Sequence, residues 1–181
     1  MKKQVLAGLA SFALLAPIAL QAQETPKTYF GVGVSTLKWS DKEKIFDGVS
    51  NSAVALTLGY RAMKNLAVEG QIGTGIGDDS VSANGTRLTV KNKEFYGVFL
   101  RPYIQATDSL ELYGRLGYFS GKISATGQGV NESNWENDTA FGVGAAFSIS
   151  KSLAVTLEYN QWFNKDDIKV SGFGLGIRSN F

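Results

Sequence analysis

The sequence has no cysteine and no histidine in 181 residues. These two absences exclude disulfide frameworks, the usual zinc ligand sets, haem and iron–sulfur ligation, thiol redox motifs, and Ser-His or Cys-His catalysis. Proline is scarce, at 3 residues, and beyond the N-terminal segment no stretch keeps a helical apolar period. The single long apolar run, Val5 to Leu20, follows Lys2 and Lys3 and ends at the small residue Ala22, after which polar Gln23 and Glu24 appear. That is the plan of a secretory signal cleaved after Ala22, and it is short for a membrane span. The expected organisation is therefore a signal peptide over 1–22 and one domain over 23–181. With no cysteine near the cut, no lipid anchor is expected. Removing Lys2 and Lys3 from the 18 basic residues leaves 16, matching the 16 acidic ones. A neutral chain offers no electrostatic case for nucleic acid.

What is abundant is glycine, at 21, and aromatics, with 11 Phe, 7 Tyr and 3 Trp. They fall in segments that alternate with period two. Eight strands are predicted, beginning with Thr28–Lys38 and Ser52–Arg61 and ending at the C-terminus. Tight connections at Ala62–Asn65, Ala106–Ser109 and Ser150–Ser152 alternate with longer polar ones at Trp39–Asn51, Gly77–Lys93, Lys122–Asn137 and Asn164–Ile168. Short turns at one end and long loops at the other describe an all-β, eight-stranded, antiparallel up-and-down transmembrane β-barrel, with both termini on the periplasmic, short-turn side.

One face of each strand carries large apolar residues, such as Val54, Leu56, Leu58 and Tyr60. The opposite face is mostly Gly, Ala, Ser and Thr, interrupted by Arg61, Glu69, Arg101, Glu111, Arg115, Glu158 and Arg178. A soluble barrel would point its large residues inward. Small residues with a few neutralising charges suit the crowded lumen of an eight-stranded barrel, which leaves the apolar face to lipid. Phe30, Tyr60, Tyr118, Tyr159, Phe173 and Phe181 stand near strand ends, where aromatic girdles meet the interface.

The closing segment VSGFGLGIRSNF places Phe173, Leu175, Ile177 and Phe181 in one phase, with polar Ser179 at the remaining position of that phase. It resembles the C-terminal signature read by the barrel-assembly machinery of bacterial outer membranes. LYGRLGYFSG (112–121) and LEYNQWF (157–163) also resemble the outer-membrane β-barrel domain family, which includes OmpA-type, OmpX/Ail-type and opacity-type proteins. The resemblance covers the whole chain after the leader. It implies residence in the outer membrane, contact with lipid and lipopolysaccharide, insertion by the assembly machinery, and a monomer. No peptidoglycan-binding segment follows strand 8, so a cell-wall tether of the OmpA kind is not expected.

Other motifs point nowhere specific. Gly31-x-Gly33, Gly73-x-Gly75-x-Gly77 and Gly172-x-Gly174-x-Gly176 never complete GxGxxG and open no helix. Asp78, Asp79, Asp166 and Asp167 lack a calcium-loop spacing and read as solvated acids. The triplets opening at Asn84, Asn131 and Asn137 read as chance. No metal and no cofactor is expected. Trp39, Trp162 and Phe163 read as interface anchors. Trp135, among polar neighbours, reads as a surface-loop contact.

The lumen charges admit two readings, a neutralised structural network or a gate. Barrel enzymes of this size class act on lipids mostly through His, so an enzyme is not expected. Three functions remain open. The first is a non-enzymatic, plugged outer-membrane protein that supports envelope integrity, or adhesion and host contact through its loops. The second is a narrow passive channel. The third is a soluble periplasmic binding barrel.

Two register expectations follow. Asn84-Gly85 between alternating segments predicts a type I′ turn and a ribbon protruding from strands 3 and 4. Its paired numbers sum to 169, whereas lumen residues on both strands need an even sum. One bulge at Gly75 or Gly77 is therefore required. A barrel sum of 170 would set Glu69 nearly opposite Arg101, and Glu158 and Arg178 would lie near each other on the last two strands.

Overall fold

The computed structural model describes residues 27–41, 50–77, 79–83, 86–127, 130–165 and 168–181. The leader over 1–22 lies outside these residues, as do Asp78, Asp166, Asp167 and the Asn84-Gly85 turn. The described residues form nine strands: β1 Thr28–Asp41, β2 Ser50–Met63, β3 Leu66–Ile76, β4 Asp79–Ala83, β5 Thr86–Gln105, β6 Leu110–Gly127, β7 Val130–Ser148, β8 Leu153–Lys165 and β9 Ile168–Asn180. Each pairs antiparallel with its neighbours, and β3 pairs β5 to close the ring. β4 continues β3 along the same edge of β5, so the wall is an eight-stranded barrel.

The break between β3 and β4 is the required bulge. Gly77 there takes φ +85, the left-handed region open to glycine at no steric cost. The hairpin pairs Ala83 with Thr86, a sum of 169, and the barrel pairs Ala67 with Arg101, a sum of 168. The extra residue sits on the β3–β4 side, which lowers the sum instead of raising it to 170. Glu69 consequently faces Phe99 across the ladder, not Arg101.

Period two holds around the barrel. Val54 is the half-buried top of an outward β2 stripe that continues through exposed Leu56, Leu58 and Tyr60, while Ala53 and Gly59 are buried. Val143 and Phe173 are each 62% exposed on the outward face. An apolar belt that wide has no place in water and a natural one in lipid. Tyr96, Tyr118, Tyr159 and Phe173 mark its rim toward the long connections. Tyr60, Phe147 and Phe181 mark the rim toward the tight turns.

The lumen is built by pairing rings with glycines. Tyr29 lies opposite Gly59 and Tyr113 opposite Gly144, and a Cβ on either glycine would collide with the tyrosine ring. A bare backbone is what lets a large ring lie flat across the neighbouring strand in so narrow a space.

One expected loop is a pair of strands. β6 and β7 stay paired from Leu110↔Phe147 to Gly127↔Val130, so the polar stretch 122–137 is a tall hairpin. Its polarity on both faces hid the alternation, because a ladder above the membrane needs no apolar side. β5, β6 and β7 reach 20, 18 and 19 residues, against 13 or 14 for β1, β2, β8 and β9. About ten tilted residues cross a bilayer. The β4–β7 sheet therefore stands well above the rest of the rim, and β7 loses its β8 partner beyond Phe141↔Gln161. The Asp138 carboxylate accepts a hydrogen bond from the Asn164 amide at 2.8 Å and ties the two walls just above that row.

Candidate functional site

The lumen divides into two layers. In the layer nearer the tight turns, all seven charged lumen residues join one network. Arg101 spans Glu69 and Glu111, with contacts of 3.2 and 2.7 Å. Arg115 spans Glu69 at 2.9 Å and Glu158 at 3.5 Å. Glu111 also takes Arg178 at 2.6 Å and Arg61 at 3.2 Å. The planar guanidinium suits this bridging, since one head group donates to two carboxylates. Two tyrosines complete the layer. The Tyr29 hydroxyl donates to Glu69 at 2.7 Å, and the Tyr113 hydroxyl donates to Glu158 at 3.2 Å. The Arg101 guanidinium also lies 3.6 Å from the centre of the Tyr113 ring, and that of Arg115 lies 4.0 Å from the centre of Phe99. Arg101 is only 1% exposed, so its charge survives burial through these contacts.

The partners differ in part from those the strand order suggested. Glu69 does meet Arg101, although the register is offset by two, because the arginine side chain is long enough to reach along the barrel. Glu158 and Arg178 do not meet. Their cross-strand partners are Gly174 and Ala154, four residues apart on their strands, so Glu158 turns to Arg115 and Arg178 to Glu111. Tyr29 and Tyr113 went unnoticed as members of the network, although both share the phase of the lumen charges. Beside it lies a small cavity lined by polar Thr57, Gln71 and Thr156 among others.

The layer toward the long connections is apolar. Leu37, Trp39, Phe95, Phe119, Trp162 and Phe163 are buried together, and Phe119 and Phe163 meet edge to face with centres 5.6 Å apart. Trp39, Trp162 and Phe163 are thus not lipid-interface anchors. β1 runs three residues further than expected, so Trp39 keeps the lumen phase of Tyr29. A bulge between Gln161 and Phe163 turns both Trp162 and Phe163 inward. The continuing phase of β1 was a usable signal for Trp39. No local signal announces the β8 bulge.

Trp135 takes the opposite position. It lies 48% exposed on the outward face of β7, with its ring 5.6 Å from that of Tyr96. Phe173, Leu175, Ile177 and Phe181 all project outward from the last strand and its end. Among the described residues, no three His, Cys, Asp or Glu side chains are grouped to hold a metal ion, and no helix is long and apolar enough to cross a membrane.

A closed eight-stranded barrel with an outward apolar belt, aromatic rims and an inward polar network is an integral membrane β-barrel. The chain belongs to the outer membrane protein beta-barrel domain family, whose model matches residues 5–181. It is therefore an outer-membrane protein. It is 28% identical over 101 residues to the attachment invasion locus protein of Yersinia pseudotuberculosis. That match covers 55% of each chain, about half the length of the curated relative. In fold it is similar to the crystal structure of Ail, the attachment invasion locus protein of Yersinia pestis, with a TM-score of 0.66 and 19% identity over 87% of this chain and 100% of that one. It is similar also to Neisserial surface protein A, with a TM-score of 0.62 and 12% identity over 85% and 97%. The Yersinia pestis protein was also crystallised with the heparin analogue sucrose octasulfate. The membrane belt and the family together remove the soluble periplasmic barrel from the readings left open by the sequence.

Proposed function

We propose that this chain is a non-enzymatic adhesion or host-contact protein. In this reading the barrel is an anchor with a plugged lumen, and the β4–β7 sheet presents the contact surface to a host or cell-surface ligand. The observation that carries it is the height of that sheet: three strands of 18 to 20 residues rise beyond a belt that needs about ten. The likeness to attachment invasion locus proteins supports the same reading. Trp135, exposed beside Tyr96, is the aromatic contact candidate on this wall. Both termini then lie in the periplasm, Phe173, Leu175, Ile177 and Phe181 serve the assembly machinery, and the leader over 1–22 is removed. The folded protein is a monomer among lipid and lipopolysaccharide, and it contributes to envelope integrity by its presence.

The test uses the register. Ile123 pairs Asn134, so residues 124–133 can be replaced by Asn-Gly with the ladder intact. Binding to host cells should be lost while the barrel remains folded in vesicles. Retained binding would move the contact surface elsewhere. The passive-channel reading is opposed by seven charged side chains and two tyrosines filling one layer of the lumen. Steady large-conductance openings from the pure protein in a planar bilayer would restore it.

A further inference from the structure

The ionic layer holds more donors than its carboxylates satisfy. Each oxygen of Glu69, Glu111 and Glu158 already faces an arginine or a tyrosine hydroxyl. Arg101 Nη1, Arg115 Nη2 and Arg178 Nε nevertheless lie buried without an acceptor. The Tyr113 and Phe99 rings beside Arg101 and Arg115 do not supply one. A ring attracts the cation as a whole, whereas a guanidinium N–H needs an acceptor in its own plane. The three side chains are only 1%, 4% and 5% exposed, so bulk water does not meet the need either.

A second observation brings these donors together. Arg101, Arg115 and Arg178 all line one cavity of about 60 Å³. Glu69 and Glu158 line it too, so its wall carries three cations against two anions. Glu111, which holds Arg101 and Arg178, is not part of that wall. The Thr57 hydroxyl accepts from the Gln71 amide at 3.2 Å and keeps its own proton to donate. Ser35, Ala55 and Gln71 line both this cavity and the one retained by the apolar layer above it. At roughly 10–15 Å³ per water, the cavity has room for about four waters. That excludes a sugar or a lipid chain and admits a monatomic ion. Water would satisfy the donors and leave the surplus positive charge, whereas an anion answers both.

We propose that the lumen binds a monovalent anion of halide size, such as chloride, held as a structural counter-ion by Arg101, Arg115, Arg178 and the Thr57 hydroxyl. The site lies inside the barrel and away from the projecting sheet, so it stands or falls independently of the adhesion reading.

The test is urea unfolding of the protein from lipid vesicles, with potassium chloride exchanged for potassium gluconate at constant ionic strength. Gluconate is too large for the cavity, and constant ionic strength removes general screening. Raising chloride from about 1 to 100 mM should lower the unfolding equilibrium constant roughly tenfold and then saturate, as binding to the folded state alone requires. Bromide should do the same. Gly31, on the cavity wall, allows the site to be filled: a Cβ there would lie 3.6 Å from the Ile177 carbonyl oxygen and 3.7 Å from the Thr57 Cβ, both ordinary contacts. Gly31→Val should therefore abolish the chloride dependence. Thr57→Val keeps the shape and removes one donor, and should raise the half-saturating chloride concentration roughly fivefold, the loss of one hydrogen bond. It decides the matter even where Gly31→Val does not fold. Anomalous scattering from crystals grown in bromide should place an ion against the three arginines. Equal stability in chloride and gluconate, a chloride dependence unchanged in both variants, or bromide found at the surface as an adventitious ion only, overturns the proposal.

Discussion

The two layers of the lumen are made by the same strands in the same phase, yet they solve the problem of a narrow interior in opposite ways. The layer near the tight turns is filled by four arginines, three glutamates and two tyrosines tied into one network. The layer near the long connections is filled by aromatic and aliphatic side chains and retains a cavity. Charges with shared partners fix one another's geometry, so removing one disturbs several. Aromatic side chains beside a void are held by contact area alone, and each loss stays local. The ionic layer should therefore be the rigid section of the barrel and the apolar layer the adaptable one.

The largest effect is expected at Glu111, which holds Arg61, Arg101 and Arg178. Glu111→Ala strands buried guanidinium groups and should cost about 3–5 kcal/mol in urea unfolding from lipid vesicles. A loss below about 1 kcal/mol would mean that the network is not what stabilises this layer. In the apolar layer, Phe119→Ala should cost at the low end of the usual range, about 3 kcal/mol, because the ring already borders empty space. A loss clearly larger than that of Glu111→Ala would reverse the comparison.

Glu158 sharpens it further. Its side chain is 18% exposed, and its arginine partner, Arg115, retains Glu69. Glu158→Gln should cost about 1–2 kcal/mol, clearly less than Glu111→Ala by the same measurement. The double change Glu158→Leu with Arg178→Met should show no compensation, since the two side chains belong to different parts of the network. The smallest change in stability is expected on replacing 124–133 by Asn-Gly, within about 0.5 kcal/mol, because those residues lie above the belt. A larger loss would show that the projecting hairpin supports the apolar layer beneath it.

Strand phase was legible residue by residue, and with it the membrane belt, because a barrel wall sorts every residue to one of two solvents. Val54, Leu56, Leu58 and Tyr60 need only their own spacing to be placed outward, and Glu69 and Arg101 to be placed inward. The tight turns were legible for the same reason, since alternation stops there and turn residues take over. Above the membrane both sides of the wall face water. The alternation of 122–137 then carries no hydropathy contrast, and the tall hairpin passed for a loop.

The sequence by itself determined the class of this protein: eight crossings, an outward apolar face, an inward small-and-charged face and a terminal aromatic in phase. Each follows from a two-residue period that every strand obeys independently of its neighbours. Only the tertiary structure decided which charges meet, because partnership depends on register around a closed ring. The extra residue at the Gly77 bulge lies on the β3–β4 side and sets Glu69 opposite Phe99, where one on the β5 side would have set it opposite Arg101. It alone also decided that Trp162 and Phe163 both enter the lumen, because a bulge on β8 overrides the period there. Those two side chains help to close an apolar layer, and the cavity it retains exists only once strands far apart in the chain have been brought into one ring.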